Sequence, residues 1–407
     1  MPANSQAPLT TLAAAYGLSS MGDQMALLAL TLRFHDEGQP GTVLSLLLIA
    51  GVLPLVVVGP LAGPLLDRME SRRLIVLATA FQALAALGLA VTGGTALTLV
   101  LLALLGAGLA VVSPALQLLV PVIVGEQDTA RGYARLETFR SAGNVAGPAL
   151  GGLLVAAYDE RLVLLVNALS YAALAAALLT VRARRTPVPG AGGRESWLGQ
   201  VRQGVGALGG DRVLRTAIIS LAVAVAFTAL LNVARVFFIR DDLHASDAGF
   251  GLLTAAHTAG ALGASALLAP RIPLARQPQV LVGAACLMGG GLLLSGTVHV
   301  FAVACGAFVL TGVANALQNL AIRNLLHARV PAAVRGRAFA SSSALLNGAN
   351  LTGTALGGPA AGALGGAATL QLAGAGTLLA GLAAAPALLR RSAPPGGPGG
   401  GSGRAGG

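Results

Sequence analysis

Long apolar runs separated by short polar joints set the rhythm of this chain. A bilayer core needs about 20 apolar residues per crossing helix. The runs at 9–32, 42–66, 73–93, 96–122, 135–157, 161–181, 213–238, 248–269, 278–297, 300–326, 338–364 and 368–389 are long enough. They predict an all-α membrane protein of twelve transmembrane helices. The longest polar interruption, 182–212, falls midway and reads as a central loop between an N-terminal six-helix bundle (1–181) and a C-terminal one (213–391). The last residues, 392–407, have the glycine- and proline-rich composition of a linker and are expected to be disordered.

Composition sharpens this picture. Of 407 residues, 55% are hydrophobic and only 10% charged, against roughly 25% charged in soluble domains, so a soluble domain is excluded. The net charge is +11, and every basic side chain other than histidine is an arginine. A nucleic-acid surface would gather these arginines in one patch beside aromatics. Instead they fall in small clusters between apolar runs, with aromatics at 4%, so the expected partner is the lipid bilayer and not nucleic acid. Cys286 and Cys305 lie in separate runs, which points to neither a disulfide framework nor a metal site. The chain has no G-x-x-x-x-G-K-[ST], no H-E-x-x-H and no carboxylates paired in register. No catalytic residues, metal or cofactor are expected, and ATP-driven pumping is unsupported. The first apolar run lacks a basic leader and reads as a retained helix.

Arginine placement gives an orientation. Arg68, Arg72 and Arg73 follow the second run, and Arg131 and Arg135 the fourth. Arg182, Arg184, Arg185, Arg194, Arg202 and Arg212 fill the central loop. Arg271 and Arg276 follow the eighth run, Arg329, Arg335 and Arg337 the tenth, and Arg390 and Arg391 the last. The opposite joints keep Arg33, Arg161 and Arg240 near the membrane. The positive-inside rule then places both termini and the central loop in the cytoplasm of a multi-pass inner (plasma) membrane protein.

An internal repeat accompanies the halves. GPLAGPLLDRMESRR (59–73) and GASALLAPRIPLAR (263–276) end the second and eighth runs, with Gly59 matching Gly263 and Arg72 matching Arg276. ARGYA (130–134) leads to ALGG (149–152), and VRGRA (334–338) leads to ALGG (355–358). Two parallel six-helix pseudo-repeats joined by a long loop are the architecture of a transporter that rocks about a central site.

These residues carry a resemblance to the major facilitator superfamily, in the branch of enterobactin exporters and macrolide or drug efflux proteins. Gly63-x-Leu65-x-Asp67-Arg68, followed by Arg72-Arg73, resembles the family's signature loop between helices two and three. Glu70 stands where many members have glycine and Ser71 where they have a basic residue. Gly22-Asp23 resembles the branch's first helix. GNVAGPALGG (143–152) resembles the helix-five signature of drug–proton antiporters, with Gly143, Gly147, Pro148, Gly151 and Gly152 in register. The arginine that many proton-coupled members carry in helix four is absent from 96–122. The resemblance implies the major facilitator fold, and a charge latch of Asp67 and Arg68 between helices two and eleven. It also implies that helix five seals the interface between the halves.

The helix-five stretch needs a physical reason. Glycine costs about 1 kcal/mol in a helix interior and proline roughly 3. Lipid tails do not drive helices together, so close packing through small residues does much of that job. Gly143, Gly147 and Gly151 recur every fourth position and share one face. That face is expected to take a partner backbone, while Pro148 permits a kink.

Charged residues inside membranes mark function. Asp23 is the carboxylate well inside a run and is the first candidate for proton coupling, ahead of His257, whose titration range suits proton traffic, and Glu137 at the start of helix five. Arg235 reads either as snorkelling to the outer interface or as lining a cavity. Gln24, Asn232, Asn315, Gln318, Asn319, Asn347 and Asn350 either bond helices together or supply a polar patch for a substrate. The combined reading is a monomeric secondary transporter that exports a small amphipathic molecule against proton entry. An importer or sodium-coupled carrier of the same fold, and a non-cycling scaffold or receptor, are the alternatives.

Overall fold

The structure, a computed structural model, describes residues 6–181, 206, 208–331 and 334–389, with the backbone alone at 6, 7, 56, 59–68, 126, 180 and 269. Most of the central loop and the tail lie outside the described residues, as do the side chains of the expected latch at Gly63, Asp67 and Arg68. Among the described residues the twelve runs become α1 (Gln6–Asp36), α2 (Gly41–Arg68), α3 (Ser71–Val91), α4 (Thr95–Val124), α5 (Thr129–Ala157) and α6 (Glu160–Thr180) in the first half. The second half holds α7 (Arg212–Asp242), α8 (Asp247–Leu268), α9 (Gln277–Thr297), α10 (Phe301–Arg329), α11 (Arg335–Leu364) and α12 (Gly366–Leu389).

Several helices outrun their apolar stretches, because polar residues at a helix end can stay helical beyond the hydrocarbon. Two are also less regular than the sequence predicts. In α7 the α-helical turns stop at Thr228, resume at Leu231 and finish in a π-turn at Phe238–Asp242. Thr228 donates its hydroxyl to Ala224 O at 2.7 Å, a back-bond that bends helices. The π-turn Ala264–Leu268 ends α8 in the same way.

The packing is twofold. In the first half α1 packs on α5 and α6, α3 on α4 and α6, and α2 on α4. In the second, α7 packs on α11 and α12, α9 on α10 and α12, and α8 on α10. Each contact of one half has its counterpart in the other. The principal contacts between halves, α5 with α8 and α2 with α11, also exchange under the same operation. Parallel repeats of this kind are related by an axis along the membrane normal.

Among the described residues eight helices are long and apolar enough to cross a membrane by composition alone. The glycine- and polar-rich α1, α5 and α11 are not among them, and in the described part of α2 the apolar stretch Gly41–Leu55 is shorter. Amides and hydroxyls join neighbours within a half: Gln82 Nε2 donates to Leu105 O at 3.0 Å, and Gln371 Nε2 to Gly296 O at 2.7 Å.

The apolar core is not uniform along the axis. Near the ends of α1 and α7 one buried cluster runs through both halves and includes Phe34, Leu44, Leu47, Val233, Phe238 and Phe250. Toward the end that carries the termini each half keeps its own cluster, around Leu12 and Leu116 in the first and around Leu214, Ile218 and Leu325 in the second. The halves thus share a core at one end and part at the other.

Candidate functional site

The glycines of α5 divide into two sets. Gly143, Gly147 and Gly151 face α1 of the same half: a Cβ on Gly147 would lie 2.7 Å from Gln24 Cβ and 2.8 Å from Met21 O, and one on Gly151 3.0 Å from Met25 Cα. The face expected to seal the two halves is therefore an intra-half seam. The inter-half approach falls to its neighbours. A Cβ on Gly152 would lie 2.5 Å from Asp247 O, and one on Gly251 2.7 Å from Pro148 O.

The second ALGG makes the matching pair of contacts. Gly353 and Gly357 pack against Ala229 and Leu230 of α7, while Gly358 meets Gly41 of α2. Ser45 Oγ donates to Thr354 O at 2.7 Å and accepts from Gly358 N at 2.9 Å, which bonds α2 to α11 across the halves.

Charges reinforce this end. Arg240 of α7 reaches Asp36 of α1 at 3.1 Å and also pairs with Asp247 of α8. His35 Nε2 lies 3.0 Å from Asp241 Oδ1, and the His35 ring stands edge-on to Phe237. Asp242 accepts from Ala367 N at 2.8 Å.

At the end that carries the termini a cavity of about 470 Å³ separates α5 from α8 and α10, walled by Ser141, Asn144, Thr258, Ser265, Asn319 and Arg323 among others. It borders a chamber in each half. Asn144 walls both this cavity and the first chamber, and Asn315 walls both it and the second.

The first chamber, about 260 Å³, is lined by Tyr16, Asp23, Gln24, Arg140, Asn167 and Tyr171 with apolar residues of α2 and α4. The buried Tyr171 hydroxyl donates to Asp23 Oδ1. Arg140 is held by Glu137 at 2.5 Å and 2.9 Å.

The second chamber, about 140 Å³, is lined by Asn232, Arg235, His257, Asn315, Gln318 and Asn350 with Met288 and Phe308. The Arg235 guanidinium stands 5.4 Å from the Phe250 ring centroid, and its Nε is buried without a hydrogen-bond partner. Gln318 Nε2 is likewise buried and unpartnered. A buried donor left unmade costs about 1–3 kcal/mol. Asn232 Nδ2 donates to Thr354 Oγ1 at 2.8 Å. Thr311 Oγ1 donates to Phe308 O at 2.8 Å and lies 3.0 Å from His257 Nδ1. Neither chamber alone reaches the roughly 300 Å³ of a drug-sized pocket, whereas the cavity between them does.

Two pseudo-symmetric bundles around a polar cleft have the architecture of a rocking transporter, and the profile of the Major Facilitator Superfamily matches residues 12–339. The chain belongs to that superfamily. It is 26% identical over 372 residues to the uncharacterized MFS-type transporter YfiS of Bacillus subtilis (strain 168), covering 87% of this chain and 86% of that one. Among solved structures, the nucleoside transporter NupG superposes with a TM-score of 0.77 at 12% identity, covering 96% of this chain and all of the other. A bacterial homologue of the iron transporter ferroportin, in an inward-facing state, superposes with a TM-score of 0.67 at 18% identity, covering 95% and 99%. At these identities the structural likeness shows the superfamily fold alone.

Within this major facilitator fold the structure gathers most of the residues singled out in the sequence. Asp23 and Gln24 line the first chamber; Asn232, Arg235, His257, Asn315, Gln318 and Asn350 line the second. Asn319 lies in the open cavity, bonded to Asn315 O at 2.9 Å. Asn347 is exposed on α11, and Arg72 and Arg73 sit in the first turn of α3. Glu137 is largely exposed and ion-paired outside the chambers. Sequence reasoning missed Tyr171, Asn167, Arg140, Thr311 and Phe250. Asn167, Ser170 and Tyr171 form a polar cluster in the otherwise apolar run 161–181, which is the signal that could have found them.

Proposed function

We propose that this transporter exports a small amphipathic molecule by proton antiport, its cleft opening alternately to the two sides of the inner membrane. The observation that carries this reading is Asp23, a carboxylate placed within the first chamber and bound by the Tyr171 hydroxyl. Burial disfavours a charged carboxylate and hydration favours it. A carboxylate that alternates between a sealed and a watered chamber therefore takes up and releases a proton in each cycle. The helix-five resemblance supports export. The arginine bias supports cytoplasmic termini, and with that orientation the structure is open inward. Each chain holds both chambers and both glycine contacts, which supports a working monomer.

Purified protein in liposomes under an imposed pH gradient tests this reading. Export should drive proton flux in the opposite direction. Flux of substrate and protons in the same direction would make the protein an importer, sodium dependence would change the coupling ion, and no flux of any kind would leave a non-cycling membrane protein.

A further inference from the structure

We propose that the transported molecule carries an anionic group, a carboxylate in the simplest case, which binds Arg235 in the second chamber. This rests on the transporter reading above and narrows its substrate class.

Three observations lead there. The Arg235 Nε is buried without a hydrogen-bond partner, and the guanidinium faces the Phe250 ring at 5.4 Å. An intramembrane arginine ordinarily pairs with a carboxylate or a backbone carbonyl, and Asp23, in the other chamber, is held by Tyr171 instead. Second, Gln318 is 4% exposed, lines the same chamber and leaves its Nε2 unpartnered. Third, among the described residues no Asp or Glu lines this chamber. Its walls hold unmade donors beside a fixed positive charge. A carboxylate answers both needs, because its two oxygens accept from a guanidinium fork and retain lone pairs for an amide. A cationic molecule would meet the Arg235 charge with no carboxylate lining this chamber to offset it. The apolar walls, Met288 and Phe308 among them, suit the remainder of an amphipathic anion. Export would also be assisted by a cell interior held negative.

The same chemistry could be met by a lipid phosphate entering from the bilayer, so the experiment separates the sources. Thermal unfolding of the full-length protein in detergent is followed with hexanoate, 4-phenylbutyrate and naphthalene-2-carboxylate, each against its neutral amide at equal ionic strength. At least one carboxylate should stabilise the protein at concentrations about tenfold lower than its amide. Arg235→Gln should remove that preference, Arg235→Lys should keep part of it, and Gln318→Met should weaken it several-fold. If Arg235→Gln does not fold, Arg235→Lys and Gln318→Met still decide.

A wild-type protein that does not distinguish any carboxylate from its amide overturns the proposal, as does an undiminished preference in the variants. So does stabilisation by phosphatidylglycerol over phosphatidylcholine in nanodiscs without a response to soluble carboxylates. Proton-coupled transport of a neutral or cationic molecule with no carboxylate response would sink this inference while leaving the proposed function standing.

Discussion

Arg240 Nη2 and Asp36 Oδ2 lie 3.1 Å apart and tie α7 to α1 at the end away from the termini. Asp36 is half exposed, so the pair is worth at most about 1 kcal/mol. That is enough to change a two-state ratio by roughly fivefold. Arg240 also holds Asp247, and its loss releases both carboxylates. Arg240→Gln should therefore shift the population toward the state open at this end, read as longer spin-label distances between α1 and α7. Unchanged distances would show that the glycine contacts close this end by themselves.

Gly147 and Gly152 sit close in sequence but have different neighbours. Overpacking costs typically about 1–3 kcal/mol. Gly147→Leu drives a side chain into Gln24 and Met21 within one half, so it should lower thermal stability. Gly152→Leu meets Asp247 and Gly251 of the other half, and should instead hold the protein open at that end with smaller loss of stability. Thermal unfolding and accessibility of a cysteine placed in the first chamber, measured on both variants, separate the two effects. Identical behaviour would erase the distinction.

Asp23→Asn retains shape and hydrogen bonding but cannot titrate. It should abolish pH-driven transport while sparing exchange of substrate across the membrane. Tyr171→Phe removes the donor that holds Asp23 and should shift the pH dependence of transport without abolishing it. Full pH-driven transport by Asp23→Asn would make Asp23 structural and turn attention to His257.

Asp211 caps α7 through Leu214 N at 2.9 Å and binds Arg329 at 2.8 Å. Burial alone would raise this carboxyl, but the Leu214 and Val213 N–H groups and the Arg329 guanidinium outweigh it and hold it below its ordinary value. Its folded value is depressed, so the stabilisation is complete above the unfolded value of about 3.9 and is lost as pH falls through the lower folded one. Asp211→Ala should cost about 1 kcal/mol in thermal unfolding at neutral pH. The difference from wild type should stay level from about pH 8 to about pH 5 and shrink below about pH 4.

The helices were legible because lipid imposes a length and an apolarity that each run must meet. The ALGG repeat was legible as well, although its meaning was not. Spacing by four shows that Gly143, Gly147 and Gly151 share a face; it does not name the helix opposite, which is α1. The chamber residues stood out where charge is expensive, as at Asp23 and Arg235. Thr311 did not, because a lone hydroxyl in an apolar run carries no mark until its partner is known. The break after Thr228 was hidden for a similar reason, since the Thr228 back-bond and the α11 glycine that packs there show only in the fold.

The two ALGG contacts bring main chain against main chain, with the Ser45 hydroxyl bonding across one of them. Closure at this end is therefore almost indifferent to cargo. Chamber side chains other than Asn232, which bonds Thr354 beside one of these contacts, can be exchanged without touching them. A lineage built this way can change what it carries while it keeps how it moves.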